Sequence, residues 1–247
     1  MKRSILSEIY ASLLVNAIYS LKNYPIMVVN TIIMPFSMLI VITIASKGTL
    51  IGVSILGAFI SVLVSNGVFF QTDLSHLKND FKVQDMIVSS PTPQFVYVLG
   101  MALSELVYSL PTIVILLILA FFLVHASFTG ILVAATAIIF VFVVATALGY
   151  MFSTFSSDVV QTWGFTGIIN TLFSTLPPVF YPITYIPLPY RYLAYLSPTT
   201  YAAEIAQNAV GFIKLSPANL AMDWVVLAAI LIVVLAIAIK KSRWREI

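Results

Sequence analysis

Uncharged apolar runs recur along the chain at 26–46, 50–70, 95–124, 128–152, 159–176 and 224–239, and Glu105 is the one charged residue inside any of them. About 20 apolar residues wound as a helix match the thickness of a bilayer core. The pattern therefore predicts six transmembrane helices. The last run is short by that measure, and Met222, Trp224 and the basic tail extend or anchor it. Pro35 and Pro111 fall inside runs, where neighbouring helices satisfy the carbonyls that proline frees.

The first residues follow a different pattern. Polar Ser4, Ser7, Glu8, Ser12, Asn16 and Ser20 are interleaved with Ile5, Leu6, Ile9, Tyr10, Leu13, Leu14, Ile18 and Leu21, the spacing of one helical face. This predicts an interfacial amphipathic helix over 2–24, lying along the membrane surface and ending near Pro25. A secretory signal peptide does not fit, because polar residues interrupt the segment throughout.

The connections are unequal. Tight turns are expected at 47–49 and 125–127, and long connections at 71–94 and 177–222. The 71–94 segment mixes both charge signs with Leu74, Leu77, Phe81, Met86 and Ile87, and reads as a short amphipathic helix turning back at Pro91 and Pro93. Such a helix suits docking into a partner's groove; a surface loop without a partner is the alternative. The 177–222 segment is crowded with proline (Pro177, Pro178, Pro182, Pro187, Pro189, Pro198) and tyrosine (Tyr181, Tyr185, Tyr190, Tyr192, Tyr195, Tyr201). Proline forbids a straight spanning helix and tyrosine favours the interface, so a broken or re-entrant external cap is expected, with a helix over 199–212 running along the outer surface.

Composition agrees. The chain is 61% hydrophobic and 9% charged with mean hydropathy +1.06, against about 25% charged in soluble domains. The reading is an all-α membrane protein, one transmembrane domain over 1–247. Of its 12 Lys and Arg, all but Lys47, Arg191 and Lys214 fall on one side of the membrane. The positive-inside rule makes that side, with both termini, cytoplasmic. Cys 0 rules out disulfides and thiolate metal sites.

Candidate chemistry is sparse. No GxxxxGK[ST] loop exists to cradle phosphates, so ATP could drive this chain only through a partner. His76 and His125 are expected in loops on opposite sides of the membrane, which leaves no hydrolytic or metal constellation. The tail KKSRWR reads as an anchor to anionic lipid and not as a nucleic-acid reader.

The segment PITYIPLPYRYLAYLSPTTYAAEIAQ, with Pro198, Thr200 and Tyr201 before a helix, and VQDMIVSSPTPQFVYVLGMAL, with Thr92 and Pro93 (or Ser90 and Pro91) ahead of Gly100, resemble the permease subunits of the type-2 ABC exporter family. The resemblance covers essentially the whole chain and is similar to drug- and antibiotic-export permeases. Where that family carries an acidic and glycine pattern, this chain has Lys82, Val83, Gln84 and Asp85. The resemblance implies six spans, a coupling helix between the second and third, and two permease copies, identical or paralogous, working with two ABC ATPase subunits in the cell membrane. This chain would be a non-catalytic subunit with no cofactor of its own, ATP and Mg being held by the ATPase. A hydrophobic drug, lipid or peptide would move outward by alternating access. The alternatives are a polysaccharide- or glycolipid-exporting permease and an ATP-independent secondary carrier or channel.

ATPase docking is then expected at Leu77, Lys78, Asp80, Phe81, Lys82, Gln84, Asp85 and Met86. In that family the second and fifth spans face the dimer axis. Ser54, Ser61 and Ser65 share a face of the second span, and Gln161, Thr162, Thr166, Asn170 and Ser174 form a stripe on the fifth. These side chains either line a substrate path or glue helices together. Glu105 would cost at least about 2.5–3.5 kcal/mol if it faced lipid, so it is expected inside the bundle, in a substrate, proton or structural role. Asp158 is expected to cap the fifth helix.

Overall fold

The computed structural model describes residues 5–79, 93–153 and 158–241, and the regular elements among them are helical. The chain opens with α1 (Ile5–Leu13), a π turn (Leu14–Ile18) and α2 (Tyr19–Asn23). Tyr24, with non-helical backbone angles, breaks the run and Pro25 starts α3 (Pro25–Ala45), where its missing N–H leaves no bond unmade. Lys47 and Gly48 close α3 in the left-handed region (φ 51° and 84°), and the Gly48 N–H donates to the Thr43 carbonyl at 2.8 Å.

Next come α4 (Ile51–Asn79), α5 (Gln94–Leu123), α6 (Phe128–Ser153) and α7 (Val159–Asn170), which runs into a second π turn (Thr171–Thr175). The cap contains a 3-10 turn (Ile183–Tyr185), α8 (Arg191–Ala194) and α9 (Pro198–Ala209). The last helix is α10 (Pro217–Lys241), whose start is marked by Pro217 in the first turn and the Ser216 hydroxyl accepting from the Asn219 N–H at 3.2 Å.

Five of these helices, α3, α4, α5, α6 and α10, are long and apolar enough to cross a membrane. The expected fifth span is shorter. Its α7 (12 residues) and π turn (5 residues) together reach roughly 25 Å at 1.5 Å per residue, and the chain then breaks at Pro177 and Pro178 into the cap. Pro35 and Pro111 sit within unbroken helices.

At the centre is α4, packed against α3, α5, α6, α7 and α9. Its 29 residues reach about 43 Å. It continues through Asn79, so 71–79 of the expected cytoplasmic connection belong to the same helix, and His76 sits on that helix instead of in a loop. The rest of the expected coupling helix, including Asp80, Phe81, Lys82, Gln84, Asp85 and Met86, lies outside the described residues.

Helices that exchange lipid for one another gain little hydrophobic energy, so close backbone approach through small residues has to hold them. The α4–α6 contact is of that kind. A Cβ on Gly149 would stand 2.8 Å from the Gly67 carbonyl oxygen, and one on Gly67 would stand 3.0 Å from the Ala145 Cβ. A Cβ on Gly57 of α4 would meet the Val179 carbonyl at 2.5 Å, which marks where the cap dips back onto α4.

The helix expected along the outer surface is instead sunk into the bundle. α9 is buried from Pro198 to Gln207 and packs on α6, α10 and α4. Its Ala202, Ala203 and Ala206 permit this approach, and a Cβ on Gly130 of α6 would collide with the Ala209 carbonyl. The outward faces of α3 and α5 carry exposed Ile33, Ile40, Ile44, Leu117, Phe121 and Phe122, as a lipid-facing surface requires.

Gly149→Val is therefore expected to lower the thermal midpoint in detergent, as overpacking by about 1–3 kcal/mol would. Ala229→Val, on an exposed position of α10, is expected to leave the midpoint unchanged.

Candidate functional site

The stripe on α7 faces the one on α4, and the two close into an antiparallel ladder. Ser61 and Ser174 hydroxyls lie 2.7 Å apart, and Ser65 donates to Asn170 Oδ1 at 2.8 Å. Thr72 and Thr166 hydroxyls are 2.9 Å apart, as are those of Thr162 and Ser75. Steps of four residues on α7, and of four, seven and three on α4, keep successive rungs on one seam. Ser54 leaves the ladder and donates to the Phe180 carbonyl of the cap at 3.1 Å. Asp158 caps α7 as expected, its Oδ1 accepting from the Gln161 N–H at 2.7 Å. These hydroxyls and amides satisfy one another in a place where lipid offers no partner.

Beside the ladder, between the N-terminal helix, α3, α4, α5 and α7, lies a cavity of ≈ 600 Å³. Glu105 and Asp73 both line it, with their side chains within hydrogen-bonding reach of each other. Oε1 of Glu105, a residue only 3% exposed, is buried with no partner among the described residues. His76 lies one helical turn beyond Asp73, on the same wall and close enough to act on its charge. On α5, Ser109 donates to the Glu105 carbonyl at 2.9 Å and accepts from the Asn66 amide at 2.6 Å, tying that turn of α5 to α4. The apolar walls come from Met34, Val62, Phe69, Met101 and Trp163, the two aromatic rings meeting edge to face at 6.1 Å.

Of the expected path residues, Ser65 and Glu105 line this cavity, while Ser54, Ser61, Thr162, Thr166, Asn170 and Ser174 lie in the seam behind it. Of the expected docking residues, Leu77 packs against Phe70, Leu74, Tyr97 and Met101, and Lys78 is in the last turn of α4. Asp73 was not singled out in the sequence, because the apolar run stops at Phe70. The signal was its place three residues beyond that run, one turn before His76 and Leu77, on a continuing helical period.

A second polar group lies in the cap. Glu204 on α9 faces Asp223 on α10 and is hydrogen bonded to the Tyr195 hydroxyl. Burial, and then the charge of Asp223, push the Glu204 carboxyl up to about 7, while Tyr195 and Arg191 oppose the shift. Asp223 Oδ2 and Gln207 Oε1 are buried there with no partners among the described residues. Arg191 is held by donation to the Thr184 and Ile186 carbonyls at 3.1 Å each. Among the described residues no group of three or more His, Asp or Glu is gathered to hold a metal ion.

The sequence profile of the ABC-2 type transporter family matches residues 5–210, and the chain belongs to that family. The chain matches none of the curated proteins compared with it.

The Glu204 shift fixes the sign of a pH dependence. The folded state holds this proton more tightly than an ordinary carboxyl near 4.5, so its contribution is complete below about 4.5 and is lost as pH rises through about 7. The thermal midpoint in detergent is expected to fall between pH 5 and pH 8, and Glu204→Gln, which mimics the protonated form, is expected to flatten that fall.

Proposed function

We propose that this member of the ABC-2 type transporter family is the permease subunit of an ATP-driven exporter that moves a hydrophobic drug, lipid or peptide-like molecule outward. The observation that carries the reading is the position of α4. One continuous helix lines the cavity with Ser65, Thr72 and Asp73 and then extends to Asn79, where the expected ATPase-docking segment begins.

A push on residues 77–86 would travel along that helix to the cavity wall. The permease contributes geometry, and a separate ATPase with ATP and Mg contributes the chemistry, consistent with the lack of a phosphate-binding loop in this chain. The path proposed runs through the cavity, past Ser65 and Glu105, and along the seam of Ser54, Ser61, Thr162, Thr166, Asn170 and Ser174 towards the cap. Two permease copies and two ATPases would form the working unit in the cell membrane, with both termini on the cytoplasmic side, as the distribution of Lys and Arg favours. The apolar walls of the cavity favour a hydrophobic cargo over a polysaccharide, which would need many polar contacts.

One observation supports a second reading, an ATP-independent carrier: Asp73, Glu105 and His76 are gathered on one cavity, and intramembrane acids in contact are the parts of a proton relay. Transport into vesicles separates the two. The exporter requires ATP with the ATPase present, and the carrier requires only an imposed proton gradient.

The direct test is co-purification in mild detergent with co-expressed ABC ATPases from the same source genome. Wild-type chain is expected to retain one of them, and Phe81→Asp and Met86→Asp are expected to release it without changing the permease's own elution volume. Failure of any ATPase to associate would overturn the ATP-driven reading.

A further inference from the structure

We propose that the cavity between α3, α4, α5 and α7 is a binding site for lipophilic organic cations, with Asp73 and Glu105 as the counter-charge and Phe69, Tyr108 and Trp163 as aromatic walls. The inference deepens the reading of this cavity as the cargo site and rests on it.

Among the described lining residues two are carboxylic acids and none is Lys or Arg, with His76 the one basic group, beside Asp73. An anion placed there would meet negative charge at short range in a medium that screens it poorly, whereas a cation would be drawn in.

Glu105 Oε1 is the second observation. It is buried, on a residue 3% exposed, and has no hydrogen-bond partner among the described residues. A buried acceptor left unpaired is destabilising, more so when charged, so a site that retains one is complete only when something donates to it or neutralises it. The neighbouring Asp73 carboxyl already occupies the other side of Glu105, so a cationic head is the partner that suits both acids.

The rest of the lining suits the body of such a molecule. Phe69, Tyr108 and Trp163 present rings, and Met34 and Met101 present polarizable thioethers. Aromatic faces attract a cation within about 6 Å, and quaternary ammonium groups are bound in aromatic cages of this kind. A volume of ≈ 600 Å³ lies within the roughly 300–1,000 Å³ of drug-sized pockets. The Asn66–Ser109–Glu105 chain of hydrogen bonds holds the acid-bearing turn of α5 against α4, so the charge is placed before the ligand arrives.

Tetraphenylphosphonium and tetraphenylborate share size and shape and differ in the sign of their charge, which makes them the probes. Binding of each to the full-length chain in detergent, without ATP or ATPase, is measured by equilibrium dialysis. The wild type is expected to bind the phosphonium at least about tenfold more tightly than the borate, a ratio corresponding to about 1.4 kcal/mol. Glu105→Gln and Asp73→Asn are each expected to weaken phosphonium binding by a similar factor and to leave borate binding unchanged. Equal binding of the two probes by the wild type, or phosphonium affinity unaltered in both variants, would overturn the proposal. The wild-type ratio decides by itself if either variant elutes as an aggregate. Loss of the cation preference while the ATPase still co-purifies sinks this inference alone. Cation preference with no ATPase association sinks the exporter reading and leaves the site.

Discussion

Lipid gives α4 nothing to hydrogen-bond with, and α4 is the most polar of the long helices. It carries Ser54, Ser61, Ser65, Asn66, Thr72, Asp73 and Ser75, and the structure meets this demand by surrounding the helix with partners. α7 answers with Thr162, Thr166, Asn170 and Ser174, α5 with Ser109 and Glu105, and the cap with the Phe180 carbonyl. Interhelical hydrogen bonds in membranes average only about 0.6 kcal/mol each, so their main effect is to fix register. Glycine contacts at Gly67 and Gly149 then set how near α6 can come. Gln71 departs from the pattern: its amide is buried and neither end has a partner among the described residues.

The same constraint shapes the site. Because the hydroxyls of α4 and α7 are engaged with each other, the seam between them is closed, and the open volume lies beside it, where Asp73 meets Glu105. A helix held along its whole length moves as a unit. Under the proposed function, displacement at its Asn79 end would reach the cavity wall, and the ladder would shift rung by rung as cargo passed along it.

Much of this was legible in the sequence. The runs at 95–124 and 128–152 became α5 and α6 within a residue at either end, and the Asp158 cap followed from its residue type and place. Reading α4 as ending at Phe70 failed because Gln71, Thr72, Asp73, Ser75 and His76 look like a solvated loop when each is judged against water. They are instead judged against α5 and α7, which no local window contains. The cap helix was placed on the surface for the opposite reason: Thr199, Glu204 and Gln207 make it look amphipathic, yet Asp223 and Tyr195, brought in by the fold, give it a polar interior to face. The meeting of Glu105 with Asp73 and of Glu204 with Asp223 is a product of helix pairing, and spacing along the chain does not encode it.

The central claim, that α4 and α7 of one chain face each other through the ladder, is tested most directly by cross-linking. The chain has no cysteine, so Ser61→Cys with Ser174→Cys introduces one defined pair at a position where the native hydroxyls are 2.7 Å apart. Oxidation in intact membranes, followed by denaturing electrophoresis, is expected to give an intramolecular disulfide that migrates as a monomer and forms without either single variant cross-linking. A disulfide-linked dimer, or two free thiols after oxidation, would contradict the account.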